Sequence, residues 1–220
     1  MDWTAFRLTL QLAGATTLAL LVLGLPLAAW LAGTRSRWRY VVEALVALPL
    51  VLPPTVLGFY LLWGLGPQSP LGQGWKGLTG ASLTFTFGGM LVASVIYNLP
   101  FAVRPFTSAL AAVDRRVIES AWCLGTSPLQ TLLRVTIPLA WRGILTGLIL
   151  TFAHTVGEFG VILMVGGNIP GVTRTLSMAV YDDVQALRYG AAGVTSLWLL
   201  LLAVVALGLV QTLDRGRGGR

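Results

Sequence analysis

The stretch Glu119–Leu139, ESAWCLGTSPLQTLLRVTIPL, decides how this chain is read. It interrupts a run of apolar sequence with an acid, a glycine, two prolines and an arginine. Apolar residues lead into it at helical spacing, at Leu110, Val113, Val117, Ala121 and Leu124, which predicts a helix over LAAVDRRVIESAWCLG. Gly125 is placed to end that helix as a C-terminal glycine does. Thr126 or Ser127 is placed to cap a second short helix, with Pro128 at its first position. This helix, PLQTLLRVT, is expected to stop at Pro138. The result is a helix-turn-helix with an apolar face and few charges. Such an element either lies in lipid headgroups or docks into a groove on a partner. The glycine turn fixes an angle between the helices and suits docking, yet the pattern alone leaves both readings open.

The rest of the chain sets the context. Of 220 residues, 55% are hydrophobic and only 10% charged, against roughly 25% charged in soluble domains. So little charge cannot keep a surface wet, and the solvent is read as lipid. The net charge is +7, carried almost wholly by arginines that fall between apolar runs. That spacing fits membrane topology and gives no nucleic-acid patch. A single cysteine, Cys123, rules out an internal disulfide and a multi-cysteine metal site, and one histidine rules out a histidine-rich one. The sequence has no G-x-x-x-x-G-K-[ST] phosphate loop and no G-x-S-x-G elbow. An independent enzyme is therefore not expected, and no cofactor is expected in this chain. The opening MDWTAFRLTL lacks the basic flank of a signal peptide, and the first apolar run reads as a permanent span.

Five segments are long and apolar enough to cross the bilayer as helices: Leu8–Ala32, Val41–Trp63, Leu83–Val103, Ile144–Val165 and Ala191–Leu213. Arginines concentrate in TRSRWRY (Arg35, Arg37, Arg39), in the segment from Arg104 to Arg142, and in the tail DRGRGGR. Basic loops stay in the cytoplasm, which puts the N-terminus outside and the C-terminus inside. Pro49, Pro53 and Pro54 predict a kink or break in the second span, serving either packing or gating. The loop GPQSPLGQGWKG is a Gly/Pro-rich turn region outside. The stretch Asn168–Gly190 could supply a re-entrant segment, a short outer helix or a sixth span. The chain reads as one transmembrane domain over residues 1–220, with a cytoplasmic loop over about 105–141.

Glu119, Ser120, Ala121, Gly125, Val135, Ile137 and Pro138 resemble the EAA loop of ABC importer permeases. That motif reads E-A-A, three residues, G, nine residues, I-x-L-P. Ser120 replaces its first alanine, Val135 its isoleucine and Ile137 its leucine. The resemblance implies an all-α polytopic fold of the type I importer permease class, with five or six spans. It implies that Glu119, Ser120, Ala121, Gly125, Thr126, Ser127, Pro128 and Leu129 belong to a coupling helix seated on an ATPase subunit. It further implies a homodimer, two ATP-binding cassette subunits that hold the ATP and Mg, an extracytoplasmic oxyanion-binding protein, and a place in a prokaryotic inner membrane.

Two further stretches, LPLVLPPTVLGF and HTVGEFGVILMVGGNIPGVTRTL, resemble the molybdate permease subunit. Sulfate and tungstate permeases share GEFG, here Gly157–Gly160. The expected function is molybdate import; tungstate or sulfate import is the alternative, and an ion-coupled secondary carrier is the rival of a different class. His154 and Glu158 are four apart and are expected on one face of the fourth span. Charged groups inside a span face the bundle interior or water. Glu158 is read chiefly as a structural residue, paired with His154 or an arginine or capping backbone beside Gly157, because a carboxylate repels an oxyanion. Asn98, before Pro100, is either a satisfied amide at a kink or a pore lining. Arg104 and Arg142 are placed to snorkel at inner span ends, or to draw an anion inward. Asn98, Arg104, His154 and Glu158 are thus the pathway candidates.

Overall fold

Proline lacks a backbone donor, and the chain turns where Pro53 and Pro54 stand. In the computed structural model, which describes residues 2–215, α2 (Trp38–Val51) gives way to α3 (Pro54–Leu65) with a bend of 112° between them. The break lies where the prolines predict it, and the angle makes it a corner rather than a kink. The start of α3 has no side-chain cap; the N–H groups of Val56 and Leu57 both donate to Pro53 O, at 2.9 and 3.1 Å.

Four longer stretches have the length and composition of spans: α1 (Trp3–Gly33), α5 (Phe87–Ala111), the continuous helix Pro128–Gly157 and α11 (Tyr189–Arg215). Counting α2 and α3 together as one crossing makes five among the described residues. The connecting elements are α4 (Pro70–Thr79), α6 (Arg115–Cys123), α9 (Gly160–Gly166) and α10 (Leu176–Gln185). The ten residues of α4 and the ten of α10 reach about 15 Å, half the hydrocarbon thickness. Neither is a sixth full span. Arg217 and Arg220 of the basic tail lie outside the described residues.

Several boundaries differ from the sequence reading. The third span, α5, starts at Phe87 rather than Leu83, because the Thr86 hydroxyl caps it by accepting from Gly89 N at 3.2 Å. It continues through Pro100 and Pro105 to Ala111. Leu110 and Val113 are therefore not part of the helix that carries Glu119. Asp114 opens that helix, α6, by accepting from Arg116 N at 2.9 Å. The helix at Pro128 does not stop at Pro138. It passes from α7 (Pro128–Thr131) through a π-helical segment, Leu132–Thr136, into α8 (Ile137–Gly157). The widened turns just before Pro138 absorb its missing N–H. The expected fourth span, Ile144–Val165, is instead broken between Gly157 and Gly160.

The centre of the bundle is α1, α5 and α8, packed through Leu20, Val103, Phe106 and Ile144. Helices in lipid gain little from burying apolar surface against one another, so close approach must supply the contact energy. Gly147 shows this: a Cβ there would stand 2.8 Å from the Phe106 ring. A second cluster joins α1, α5, α9 and α10 through Leu12, Met90, Ile162 and Met178. Several buried hydroxyls are satisfied within their own helix, as in Thr151 to Gly147 O at 2.8 Å and Thr155 to Thr151 O at 2.8 Å. Thr9 also ties α1 to α10 by accepting from Leu176 N at 2.9 Å.

Candidate functional site

The turn between α6 and α7 is built as the sequence spacing requires. Gly125 has φ +82°, the left-handed region, and a side chain there would meet open space, so backbone conformation alone calls for glycine. Its N–H donates to Trp122 O at 2.9 Å. The Thr126 hydroxyl donates to Ala121 O at 2.7 Å and is 2.8 Å from the Thr131 hydroxyl, which stitches the two helices together. Ser127, not Thr126, caps α7. Its Oγ accepts from Gln130 N at 3.3 Å, while Gln130 Oε1 accepts from Ser127 N at 3.2 Å, a reciprocal capping box with Pro128 in the first turn.

The eight residues named for coupling are thus one rigid corner. Ala121 is its buried member, at 9% exposure. Ser120 is tied down by donating to Arg116 O at 2.8 Å. Glu119 pairs with Arg115 at 2.8 Å, both side chains exposed. Leu129 among them, and Trp122 and Leu124 beside them, stand exposed, Leu124 at 84%. Leu129 is among the coupling residues named from the sequence and Leu124 belongs to the apolar spacing read there, whereas Trp122 was missed, although it lies three residues before Gly125. An exposed apolar cluster on a capped, hydrogen-bonded corner is built for contact with another surface.

The second cluster lies inside the membrane-spanning body. Glu158 is the residue after α8, with φ −63° and ψ 137°. The helical i, i+4 relation to His154 is therefore lost, because Gly157 ends the helix first. Among the described residues Glu158 pairs neither with His154 nor with an arginine. Its Oε2 accepts from Ser94 Oγ at 2.6 Å and from Asn98 Nδ2 at 3.0 Å. His154 Nδ1 lies 2.8 Å from Asn98 Oδ1, and its ring stacks on Phe101 with centroids 3.8 Å apart. The Ser177 hydroxyl of α10 donates to Glu158 O at 2.6 Å. Asn98 is fully buried and Glu158 is 4% exposed.

Three of the four pathway candidates are therefore brought together, with Asn98 as the bridge. Arg104 is not among them: it lies about 9 Å further along α5 and lines a different cavity, with Arg39 and Glu43. Ser94 and Ser177 are the members that sequence reasoning missed. Ser94 had a usable signal, four residues before Asn98 and so on the same face of one helix. Ser177 had none, because it reaches Glu158 only through the tertiary packing of α10.

Comparison with known proteins places this architecture. Residues 24–218 match the family described as binding-protein-dependent transport system inner membrane component. The molybdenum transport system permease protein ModB of Azotobacter vinelandii is 49% identical over 99% of this chain and 96% of its own length. The putative molybdenum transport system permease protein YvgM of Bacillus subtilis is 32% identical, covering 93% of this chain and 88% of its own. Among solved structures, a bacterial alginate ABC transporter in complex with an alginate pentasaccharide-bound periplasmic protein superposes with a TM-score of 0.74 at 20% identity, over 96% of this chain and 76% of that one. At that identity the likeness is one of fold. With the family match running through α2 to α11 and relatives aligned nearly end to end, this chain belongs to the binding-protein-dependent transport system inner membrane components, as a multi-pass permease.

Proposed function

We propose that this chain is the permease subunit of an ATP-driven molybdate importer. The observation that carries the reading is 49% identity to a molybdenum permease across 99% of the chain. In this reading two copies form a pathway on a two-fold axis. Two ATP-binding cassette subunits, which hold ATP and Mg, sit on the cytoplasmic side, and an extracytoplasmic oxyanion-binding protein delivers the cargo. The N-terminus lies outside and the C-terminus inside.

The corner from Glu119 to Leu129 transmits the work. Closure of the ATPase pair on ATP moves its surface clefts, and a rigid corner seated in each cleft carries that motion into the helix Pro128–Gly157. That helix is continuous with the corner through the π-helical segment, so a push on α7 is a push on α8. A dianion is costly in hydrocarbon, so the pathway between the two copies is polar or wet throughout.

The test is uptake into liposomes that hold the chain, its ATPase and its binding protein. ATP-dependent molybdate uptake is expected, with tungstate competing better than sulfate. Sulfate uptake undiminished by molybdate would reassign the cargo. Uptake by the chain without its ATPase would establish the ion-coupled carrier instead.

A further inference from the structure

α1 ends beside the corner, and the two do not close on each other. Between them lies a groove of about 520 Å³, lined by Pro26, Trp30 and Gly33 of α1, by Trp122 of α6, and by Leu129 and Leu132 of the helix that follows. That is within the range of about 300–1,000 Å³ that holds small ligands. Pro26 stands about 10 Å along α1 from Gly33. Arg35 and Arg37 lie in the turn just after Gly33. The groove therefore runs from headgroup level into the hydrocarbon.

The walls select an apolar ligand. Among the described residues no charged side chain lines the groove. Its hydroxyls are already used: Thr131 donates to Ser127 O at 3.0 Å, and Thr136 to Thr131 O at 3.4 Å. A polar solute would lose its water here and gain nothing in return. Trp30 and Trp122 are about half exposed. Neither indole N–H has a hydrogen-bond partner among the described residues. Tryptophans at a membrane interface lay the ring against acyl chains and offer the N–H to the headgroup zone.

Two observations say what fills it. The first is continuity with the lipid-facing surface. Leu18, Val22, Pro26, Ala29 and Gly33 follow at helical spacing on one face of α1, and Leu18 and Val22 are 65% and 68% exposed. A chain lying along that face reaches the groove without leaving the hydrocarbon. A subunit in water would have to enter the bilayer to fill it. Leu124, at the tip of the corner, lies outside the groove and stays free for such a subunit.

The second is charge. Arg35 and Arg37 are exposed, and neither has a carboxylate partner among the described residues. The acids of α6 are engaged, Glu119 by Arg115 and Asp114 by the Arg116 N–H. The mouth is therefore positive. A positive mouth on an apolar groove matches a ligand with an anionic head and a hydrocarbon tail.

We propose that this groove binds an anionic phospholipid of the leaflet that holds the corner, one acyl chain lying between α1 and Leu129–Leu132 and the headgroup at Arg35 and Arg37. The bound chain fills the joint between the bundle and the corner. The inference is independent of which anion the permease carries.

The experiment uses the complete complex in nanodiscs of phosphatidylcholine, with a trace of phosphatidylglycerol bearing a diazirine on one acyl chain. After irradiation, cross-linked residues are mapped by mass spectrometry. Cross-links are expected on α1 between Pro26 and Gly33 and on Leu129 or Leu132. Unlabelled phosphatidylglycerol should compete about tenfold better than phosphatidylcholine. Arg35→Gln with Arg37→Gln should bring the two lipids within about twofold of each other. Nothing lies within 4 Å of a Cβ added at Gly33, so Gly33→Phe places a ring in the groove. It should abolish the groove cross-links and keep those at Leu18 and Val22; Ala29→Trp, on the same face, should do the same. Equal competition by the two lipids in the wild type, or groove cross-links unchanged in both filled variants, would overturn the site. Groove cross-links that appear only once the ATPase is stripped away would assign the groove to that subunit instead. A Gly33→Cys disulfide between two copies would assign it to the second copy, and either result ends the lipid reading.

Discussion

Asn98 Nδ2 stands 3.0 Å from Glu158 Oε2, a bond that closes across sixty residues of sequence and joins α5 to the break between α8 and α9. The same amide accepts from His154 on its other side. One side chain thus hydrogen-bonds both the buried Glu158 carboxyl, which Ser94 also serves, and the half-buried His154 ring.

Asn98→Leu therefore exposes two unmade hydrogen bonds at once. Leaving a buried polar group unpaired costs about 1–3 kcal/mol. The variant should melt at a lower temperature in detergent than the parent, and His154→Phe in the same background should recover part of the loss by removing one stranded group. Equal melting temperatures for parent and Asn98→Leu would show that the bridge carries no stability.

Gly125 separates backbone demands from space. Its φ is +82° and nothing crowds the missing side chain. Gly125→Val should cost about 1–2 kcal/mol locally and disorganise the corner, whereas Gly125→Asn should be tolerated, since asparagine visits this conformation readily. The measurement is stimulation of ATP hydrolysis by loaded binding protein, expected to be lost in the valine variant and kept in the asparagine one. Equal stimulation in both would remove the turn from the coupling path.

Glu119 tests docking against folding. Its pair with Arg115 is exposed on both sides, and exposed pairs contribute about 0–1 kcal/mol. Glu119→Gln should leave the melting temperature of the isolated permease nearly unchanged and reduce retention of the ATPase subunit during purification. A large drop in melting temperature with normal retention would make the residue structural.

Gly147 marks a close approach between α5 and α8, where an added Cβ would stand 2.8 Å from the Phe106 ring. Gly147→Leu drives side-chain atoms into the Phe106 ring, and overpacking of this kind costs about 1–3 kcal/mol. Adding Phe106→Ala should restore part of the lost thermal stability; failure of the pair to recover any would place the fault elsewhere.

Much of this was legible in the sequence because lipid simplifies the problem. Length and apolarity located the crossings, Pro53 and Pro54 located the corner between α2 and α3, and the Gly125–Pro128 spacing located the turn. The boundaries that shifted did so through local hydrogen bonds that span length does not encode, at Thr86, Asp114 and the π-helical segment before Pro138. The GEFG stretch was noticed, yet its geometry was not readable. A helical reading put His154 and Glu158 on one face, whereas the break at Gly157 turns the carboxyl away and sends it to α5. That partnership depends on α5, α8 and α10 packing together, which spacing along one helix cannot show.

Cys123 is the chain's single cysteine and is exposed on the corner that the proposed mechanism drives. The most direct measurement is disulfide trapping between Cys123 and single cysteines placed around the surface cleft of the ATPase subunit, in membranes from cells expressing the whole complex. The proposed mechanism predicts a cross-link at cleft positions that halts ATP-driven uptake and is reversed by reductant. Labelling of Cys123 by a membrane-impermeant thiol reagent from the extracytoplasmic side, with no cross-link at any cleft position, would contradict it.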